Sequence, residues 1–301
     1  MLTVFRFPPR RELGRTGFQA TVLGIGDLAD RGVPLADCVA TIHRALEAGL
    51  NVIDTAPSYE AGYSEQIVGT ALRGRRDGIF LIDKVDDLDA AVAPQVEASL
   101  KRLGTQPDLF VFHGVSTLEQ WRTLRWDELA GKSRWRGISC HNPDVLRVAI
   151  PSGLCDVVMF PVGPFVDIRY VTECLPLARQ HRIGTVCFKT FGAGKLLGDT
   201  EGYNRPLATR PRGKISSGGG TAQPVLPHLT VEQCVRYTLT CDPDVALLGL
   251  SFPNEQDAAF AAARRFVPMT PAELESTRRA AATATTGKGR CWWNPMEEST
   301  A

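Results

Sequence analysis

The chain lacks a charge imbalance: 34 Lys and Arg face 33 Asp and Glu, leaving a formal charge of +1. Binding nucleic acid or an acidic membrane surface through a broad field needs an excess of one sign, so neither partner is expected. No run approaches the ~18 consecutive apolar residues of a membrane span. The opening MLTVFRFPPRRELG has no apolar core of a signal peptide. A soluble, cytoplasmic protein is expected. Metal-binding spacings are also missing. The eight cysteines (Cys38, Cys140, Cys155, Cys174, Cys187, Cys234, Cys241, Cys291) include no CxxC pair, and the five histidines no HxH or HExxH. Zinc, iron–sulfur and metallohydrolase sites are therefore not expected, and the thiols read as reduced.

What is present is a strict alternation. The 301 residues, 44% of them apolar, suit one α/β barrel of roughly 250 residues with additions. RRELGRTGFQAT reads as a hairpin turning at GRTG, followed by a first barrel strand near Val22–Ile25. Seven more strands are expected at Asn51–Asp54, Ile79–Asp83, Asp108–Phe112, Trp135–Ile138, Asp156–Phe160, Gly184–Phe188 and Val245–Leu248. Between them lie runs of helical periodicity: Leu35–Leu46, Ser64–Leu72, Ala90–Leu103, Leu118–Ala130, Pro143–Ile150, Val171–His181 and Val231–Thr240, with Asn254–Arg264 after the last strand. Eight such units predict a (β/α)8 TIM barrel, one domain over residues 1–301. Residues 198–229 form a long Gly/Pro/Ser/Arg-rich segment after the seventh strand, of a size that is either functional or a surface insertion. The tail reads as a helix capped by Thr270 with Pro271 at its first position, then CWWNP, whose paired indoles must pack on something.

Four polar residues follow these strands. Asp54 closes LNVID, Lys84 closes IFLIDK, His113 closes DLFVFH, and Tyr59 lies five residues beyond Asp54. On a (β/α)8 barrel the C-terminal strand ends share one face, where active sites are built. Singly, each has a plainer reading: a capping aspartate, a lysine paired to Asp83 or Asp54, a core histidine. Together they form a proton-transfer set. An ammonium near a phenol favours the phenolate, a carboxylate holds the ammonium, and an imidazole orients a substrate oxygen. None of these groups can deliver a hydride, so a nicotinamide cofactor is implied. Three weaker motifs fail. GIGDLA fits a dinucleotide fingerprint, but DRGVP follows where the helix should start; GAGKL lacks the spacing of a phosphate loop; GISCH lacks the second glycine of a nucleophile elbow.

The segments resemble the aldo-keto reductase superfamily along nearly the whole chain. RELGRTGFQATVLGIGD is similar to its N-terminal hairpin and first strand, and GLNVIDTAPSYEAGYSEQIVGTAL to the aspartate–tyrosine segment. LIDKVD resembles the lysine strand, SLKRLGTQPDLFVFHG the histidine strand, and RGISCHNPDV, VCFKTFGAGKL and ALLGLSFPNEQDAA three cofactor-binding segments. The chain departs from the family's usual pattern at Glu60 (glycine), Cys140 (asparagine), Met159 (glutamine), Phe188 (tyrosine) and Lys189-Thr190 (Ser-Pro or Lys-Pro).

The resemblance implies an NAD(P)-dependent oxidoreductase acting on a small aldehyde, ketone or sugar carbonyl, with Asp54, Tyr59, Lys84 and His113 catalytic. It implies cofactor contacts at Gly26, Asp27 and Asp54, at Ser139, Cys140 and Met159, and at Phe188, stacked on the nicotinamide. Lys189, Thr190, Phe191, Gly192, Gly194 and Leu196 would wrap the pyrophosphate, and Gly249, Ser251 and Glu255 the adenosine end. Leu28, Tyr59, His113 and Trp292 would meet substrate, with Trp292 or Trp293 covering part of the opening. GLSFPNEQDAA has no Lys or Arg to hold a 2′-phosphate, and Glu255 would favour a 2′-hydroxyl, so NADH should serve at least as well as NADPH. Arg205, Arg210, Arg212 and Lys214 of the long segment could offset that preference. Two alternatives stand beside this reading: an NAD-linked aldose dehydrogenase, and a nucleotide-binding sensor with little turnover. The sequence sets no oligomeric state.

Overall fold

The computed structural model describes residues 6–26, 31–197, 227–250, 253–288, 291, 293 and 294, without the side chain of Asn254. A short antiparallel hairpin, β1 (Pro9–Glu12) and β2 (Gln19–Thr21), precedes the barrel. Eight parallel strands then close on themselves: β3 (Leu23–Gly26), β4 (Val52–Asp54), β5 (Phe80–Val85), β6 (Leu109–Val115), β7 (Trp135–Cys140), β8 (Val157–Pro161), β9 (Gly184–Phe188) and β10 (Val245–Leu248). The expected (β/α)8 barrel is the observed fold. Helices α1 (Leu35–Glu47), α2 (Tyr63–Ala71), α3 (Val92–Leu103), α6 (Pro143–Ala149) and α8 (Val231–Cys241) return the chain between strands, and α9 (Pro253–Arg264) follows the last. α10 (Pro271–Thr285) begins as its sequence dictates, with the Thr270 hydroxyl accepting from the Glu273 N–H and Pro271 in the first turn. No helix among the described residues is long and apolar enough to cross a membrane.

Side-chain alternation divides the core in two. Val52, Phe80, Ile82, Leu109, Val111, Val157, Met159, Val186, Val245 and Leu247 fill the barrel, and the hairpin closes its floor with Leu13 and Ala20. The intervening residues, such as Ile53, Leu81, Phe110 and Ile138, face the helices. With a period of two, Asp54 shares the side of Val52, Lys84 that of Ile82 and His113 that of Val111. All three thus stand in the barrel's top layer.

Two expected helices differ. Leu118–Ala130 is broken into α4 (Leu118–Thr123) and α5 (Trp126–Leu129), with Leu124 extended at ψ 133°. On one continuous helix Trp121 and Trp126 would point in different directions; the break lets both bury, edge to face at 5.5 Å. Val171–His181 opens with one wide turn, Tyr170–Cys174, before α7 (Leu175–Gln180). Pro176 has no N–H to continue the α ladder there. In the tail, one of the paired indoles packs as expected. Trp293 is fully buried, donates its indole N–H to the Phe165 carbonyl at 2.9 Å, and packs in the core between strands and helices. Trp292 lies outside the described residues, as do Asp27, Leu28, Ser251 and residues 198–226 of the long segment.

Closure constrains the backbone most tightly at Gly137, where an added Cβ would lie 1.9 Å from the Val157 carbonyl oxygen on the neighbouring strand. Gly137→Ala should cost at least about 3 kcal/mol in equilibrium urea unfolding, because two backbones must part. Gly104→Ala, at φ +66° with open space around it, should cost only about 1 kcal/mol. Equal effects at the two positions would contradict this account of the strand packing.

Candidate active site

Lys84 is the centre of the top layer. Its Nζ donates to Asp54 Oδ1 at 2.5 Å and to the Thr55 carbonyl at 2.6 Å, and both charged side chains are 2% exposed. Of the two carboxylates adjacent in sequence or strand, the lysine therefore pairs with Asp54. Asp83 points to the helix layer, where Arg102 and Glu65 form a pair and the Lys84 backbone N–H donates to its Oδ1 at 2.8 Å. Burial, reinforced by the Glu65 charge, pushes the Asp83 carboxyl well above the usual range. Gly26 makes room for the ion pair, since a Cβ there would lie 3.1 Å from Asp54 Oδ2. Its placement gives it a steric role beside Asp54.

Tyr59 is delivered by the loop after β4. The Lys84 ammonium lies 4.6 Å from its ring centroid, and the His113 ring meets it edge-on at 5.8 Å. Phenol, ammonium, carboxylate and imidazole thus converge as the strand order required. The loop reaches this place through consecutive left-handed residues, Glu60 (φ 51°), Ala61 (φ 51°) and Gly62 (φ 82°). Glu60 keeps the conformation a glycine would adopt, at a cost of about 1–2 kcal/mol. Arg31 holds it there, donating from Nη2 to the Glu60 carbonyl at 2.6 Å.

Sequence reasoning missed Asp86, two residues beyond Lys84. Its Oδ1 is bonded to His113 Nδ1, and its Oδ2 accepts the Ser58 N–H at 2.6 Å. Burial works to raise its carboxyl, but the His113 bond and charge, with Ser58, outweigh this and hold it below the usual carboxylate range. The available signal was the parity of KVD, which returns Asp86 to the side of Lys84.

The opposite half of the mouth carries the proposed cofactor residues. Ser139 is buried, and its Oγ accepts the Gly114 N–H at 2.9 Å. Met159, its neighbour across the β7–β8 ladder, belongs to the barrel filling. Cys140 faces the helix layer instead, donating Sγ–H to the Asn142 carbonyl at 3.2 Å, and burial pushes its thiol to about 12. Only its backbone can serve a ligand at the mouth. Phe188 is half-buried against His141, with ring centroids 5.2 Å apart. Burial, then the charges of Lys189 and His113, bring His141 down to about 3, so it is neutral. Lys189 takes φ 73° and sets its ammonium 5.3 Å from the Phe188 ring centroid. Its carbonyl comes so close to Gly163 that a Cβ there would lie 2.6 Å away.

Beyond it, Thr190 is buried with no hydrogen-bond partner for its hydroxyl among the described residues. The turn Gly192–Leu197 is kinked through left-handed Ala193 and Gly194. Phe191 packs against two core clusters and Leu196 is buried in one of them. Lys195 turns its ammonium inward to the Lys288 carbonyl at 2.5 Å. Gly249 follows β10, and a Cβ added there would meet, among the described residues, the Gly26 carbonyl oxygen at 3.6 Å, an ordinary contact. Glu255 is buried in the first turn of α9.

Residues 21–249 match the model of the aldo/keto reductase family. An aldo-keto reductase of Bacillus subtilis, YhdN, is 32% identical, the match covering 81% of this chain and 85% of that one. An Escherichia coli NADH-specific methylglyoxal reductase is 28% identical over 62% of this chain and 68% of its own. With an uncharacterized B. subtilis oxidoreductase, YqkF, identity is 29% over 59% of this chain, and the match spans less than two thirds of that relative, 63%. Among solved structures, the holo form of an aldo-keto reductase from Bacillus halodurans superimposes with a TM-score of 0.67 at 25% identity, covering 90% of this chain and 95% of that one.

The buried Lys84–Asp54 pair sets a stability test. Lys84→Met leaves Asp54 buried and uncompensated and should cost about 3–5 kcal/mol. The double variant Asp54→Asn/Lys84→Met removes both charges and should recover much of that loss. Urea unfolding of the single and double variants checks this; equal stability of the two would mean that the pair is not energetically coupled.

Proposed function

The chain belongs to the aldo/keto reductase family, and we propose that it moves a hydride between NAD(P)H and the carbonyl carbon of an aldehyde, ketone or sugar, with Tyr59 exchanging the proton. The observation that supports this most is the convergence of Lys84, Asp54, Tyr59 and His113 on one end of the barrel.

The residues opposite fit a nicotinamide dinucleotide. Phe188 offers an aromatic face, Ser139 a buried hydroxyl, and Thr190 a buried hydroxyl that lacks a partner among the described residues. The Gly192–Leu197 turn would lie along the pyrophosphate, and Glu255 at the ribose. When bound, the nicotinamide supplies the hydride. The protein's own groups handle the proton. In reduction the Tyr59 hydroxyl gives its proton to the carbonyl oxygen as negative charge develops there; in oxidation the same oxygen takes it back. Lys84, fixed by Asp54 and the Thr55 carbonyl, places a permanent positive charge beside the phenol, which favours its ionised form. His113 binds the substrate oxygen and aligns it.

Tyr59→Phe removes the proton and leaves the ring. It should lower kcat for carbonyl reduction by at least about 100-fold while cofactor affinity stays near wild type. Stopped-flow turnover with separate cofactor titration measures both. Activity within about tenfold of wild type would sink the assignment of Tyr59, and cofactor binding without turnover of any carbonyl would point to the sensor reading.

Cofactor choice is the finer proposal. A carboxylate at Glu255 near the ribose would repel a 2′-phosphate by about 1 kcal/mol or more. The NADH-specific E. coli relative supports the same direction. kcat/KM for NADH should equal or exceed that for NADPH, and Glu255→Gln should shift the ratio toward NADPH. A tenfold or greater NADPH preference in the wild type, by kcat/KM measured with both cofactors, would overturn it.

A further inference from the structure

We propose that Asp86 is a positioning residue that fixes His113 in a single tautomer, with its proton on Nδ1, and thereby makes His113 a hydrogen-bond acceptor when neutral and a donor only when charged. The inference rests on the functional reading above. Two bonds of one carboxylate carry it. Oδ1 meets His113 Nδ1, and Oδ2 accepts the Ser58 N–H, one residue before Tyr59. A single side chain at the end of β5 thus registers the imidazole and the phenol against each other.

The tautomer follows from donor and acceptor counts. Asp86 is held below the usual carboxylate range and stays ionised at neutral pH. An ionised carboxylate only accepts hydrogen bonds, so Nδ1 must carry the hydrogen between them. Nε2 is then the remaining ring nitrogen. In the neutral ring it presents a lone pair, and in the imidazolium an N–H.

The groups facing His113 from the surrounding elements are Asp86, Tyr59 with Lys84 over its ring and Asp54 beyond, and His141 with Lys189 near it. Of these, Asp86 is the group bonded to Nδ1. His141 is neutral and Lys84 is paired with Asp54, so Asp86 is the anion that sets the ring's orientation.

A consequence for both directions follows. In alcohol oxidation the single hydroxyl hydrogen passes to the Tyr59 oxygen, so the substrate oxygen can only accept from His113, and Nε2 must carry a hydrogen. In carbonyl reduction the oxygen only accepts, so Nε2 must be protonated to bind it, and Tyr59 supplies the transferred proton. No net proton leaves His113 in either direction. The two directions share one transition state, so both should use the charged Asp86–His113 pair.

Asp86→Asn tests this. The asparagine amide can donate to Nδ1, releasing the Nε2–H tautomer in the neutral ring. The decline in rate as the Nε2 hydrogen is lost at alkaline pH should therefore weaken in both directions. Steady-state rates in both directions across pH 5.5–9.5 (roughly the range spanning a histidine titration) give this comparison. A uniform loss with the shape of the pH profiles unchanged would mean that Asp86 merely supports the fold, and rates and profiles both unchanged that it plays no part; either overturns the proposal. A second measurement needs no turnover. Nitrogen-15 spectra of histidine-labelled wild type, with His113→Asn to assign the signal, should show neutral His113 protonated at Nδ1. Protonation at Nε2 overturns the proposal. If no carbonyl is reduced or alcohol oxidised, the functional reading fails, and the nitrogen spectrum alone decides the tautomer.

Discussion

A charged lysine inside the barrel is the constraint around which the top layer is built. Removing an ammonium from water costs several kcal/mol, and only a close, well-hydrogen-bonded anion offsets that. Asp54 supplies it from the adjacent strand, and the Thr55 carbonyl takes a second ammonium proton. Every other site feature answers to this pair. Gly26 gives up its side chain to admit Asp54 Oδ2. Tyr59 lays its ring against the ammonium. The barrel below is filled with aliphatic and aromatic side chains, so the charge has access only to the mouth.

A second anion completes the layer from outside. Asp86 is 22% exposed, stands at the rim, and ties His113 to the loop that bears Tyr59. The two aspartates thus divide the work. Asp54 fixes a positive charge next to the phenol, and Asp86 fixes the ring that would meet the substrate oxygen in the proposed reaction. The Tyr59 loop accepts backbone strain at Glu60 and Ala61 to reach between them. Such strain persists where surrounding contacts hold the chain in place, here the Arg31 bond to the Glu60 carbonyl and the Asp86 bond to Ser58.

Much of this was legible in the sequence because a barrel strand has only two faces. Once LNVID, IFLIDK and DLFVFH were read as strands, parity alone put Asp54, Lys84 and His113 on the inner side. Their sequential pairing brought them together. Asp86 escaped because it lies one residue past β5, where the parity of KVD points it inward without telling which partner its carboxylate meets. Cys140 shows the limit of reading by position: it adjoins Ser139, yet alternation turns its thiol to the helices. The broken α4–α5 segment and the buried Trp293 were hidden for another reason. Both depend on which distant surface an indole finds, and local periodicity does not carry that information. Gly137 was silent as well, since its role is the close approach of the β8 backbone.

The most direct measurement of the central claim follows the hydrogen itself. NADH deuterated at C4 on one face, incubated with the enzyme and a reactive aldehyde, should give an alcohol with one deuterium on the former carbonyl carbon. Mass spectrometry should find that label from one of the two C4 faces only, and solvent deuterium only on oxygen, where it exchanges away. Deuterium at carbon drawn from solvent, or consumption of the aldehyde with no label transferred, would contradict a direct hydride path at this barrel mouth.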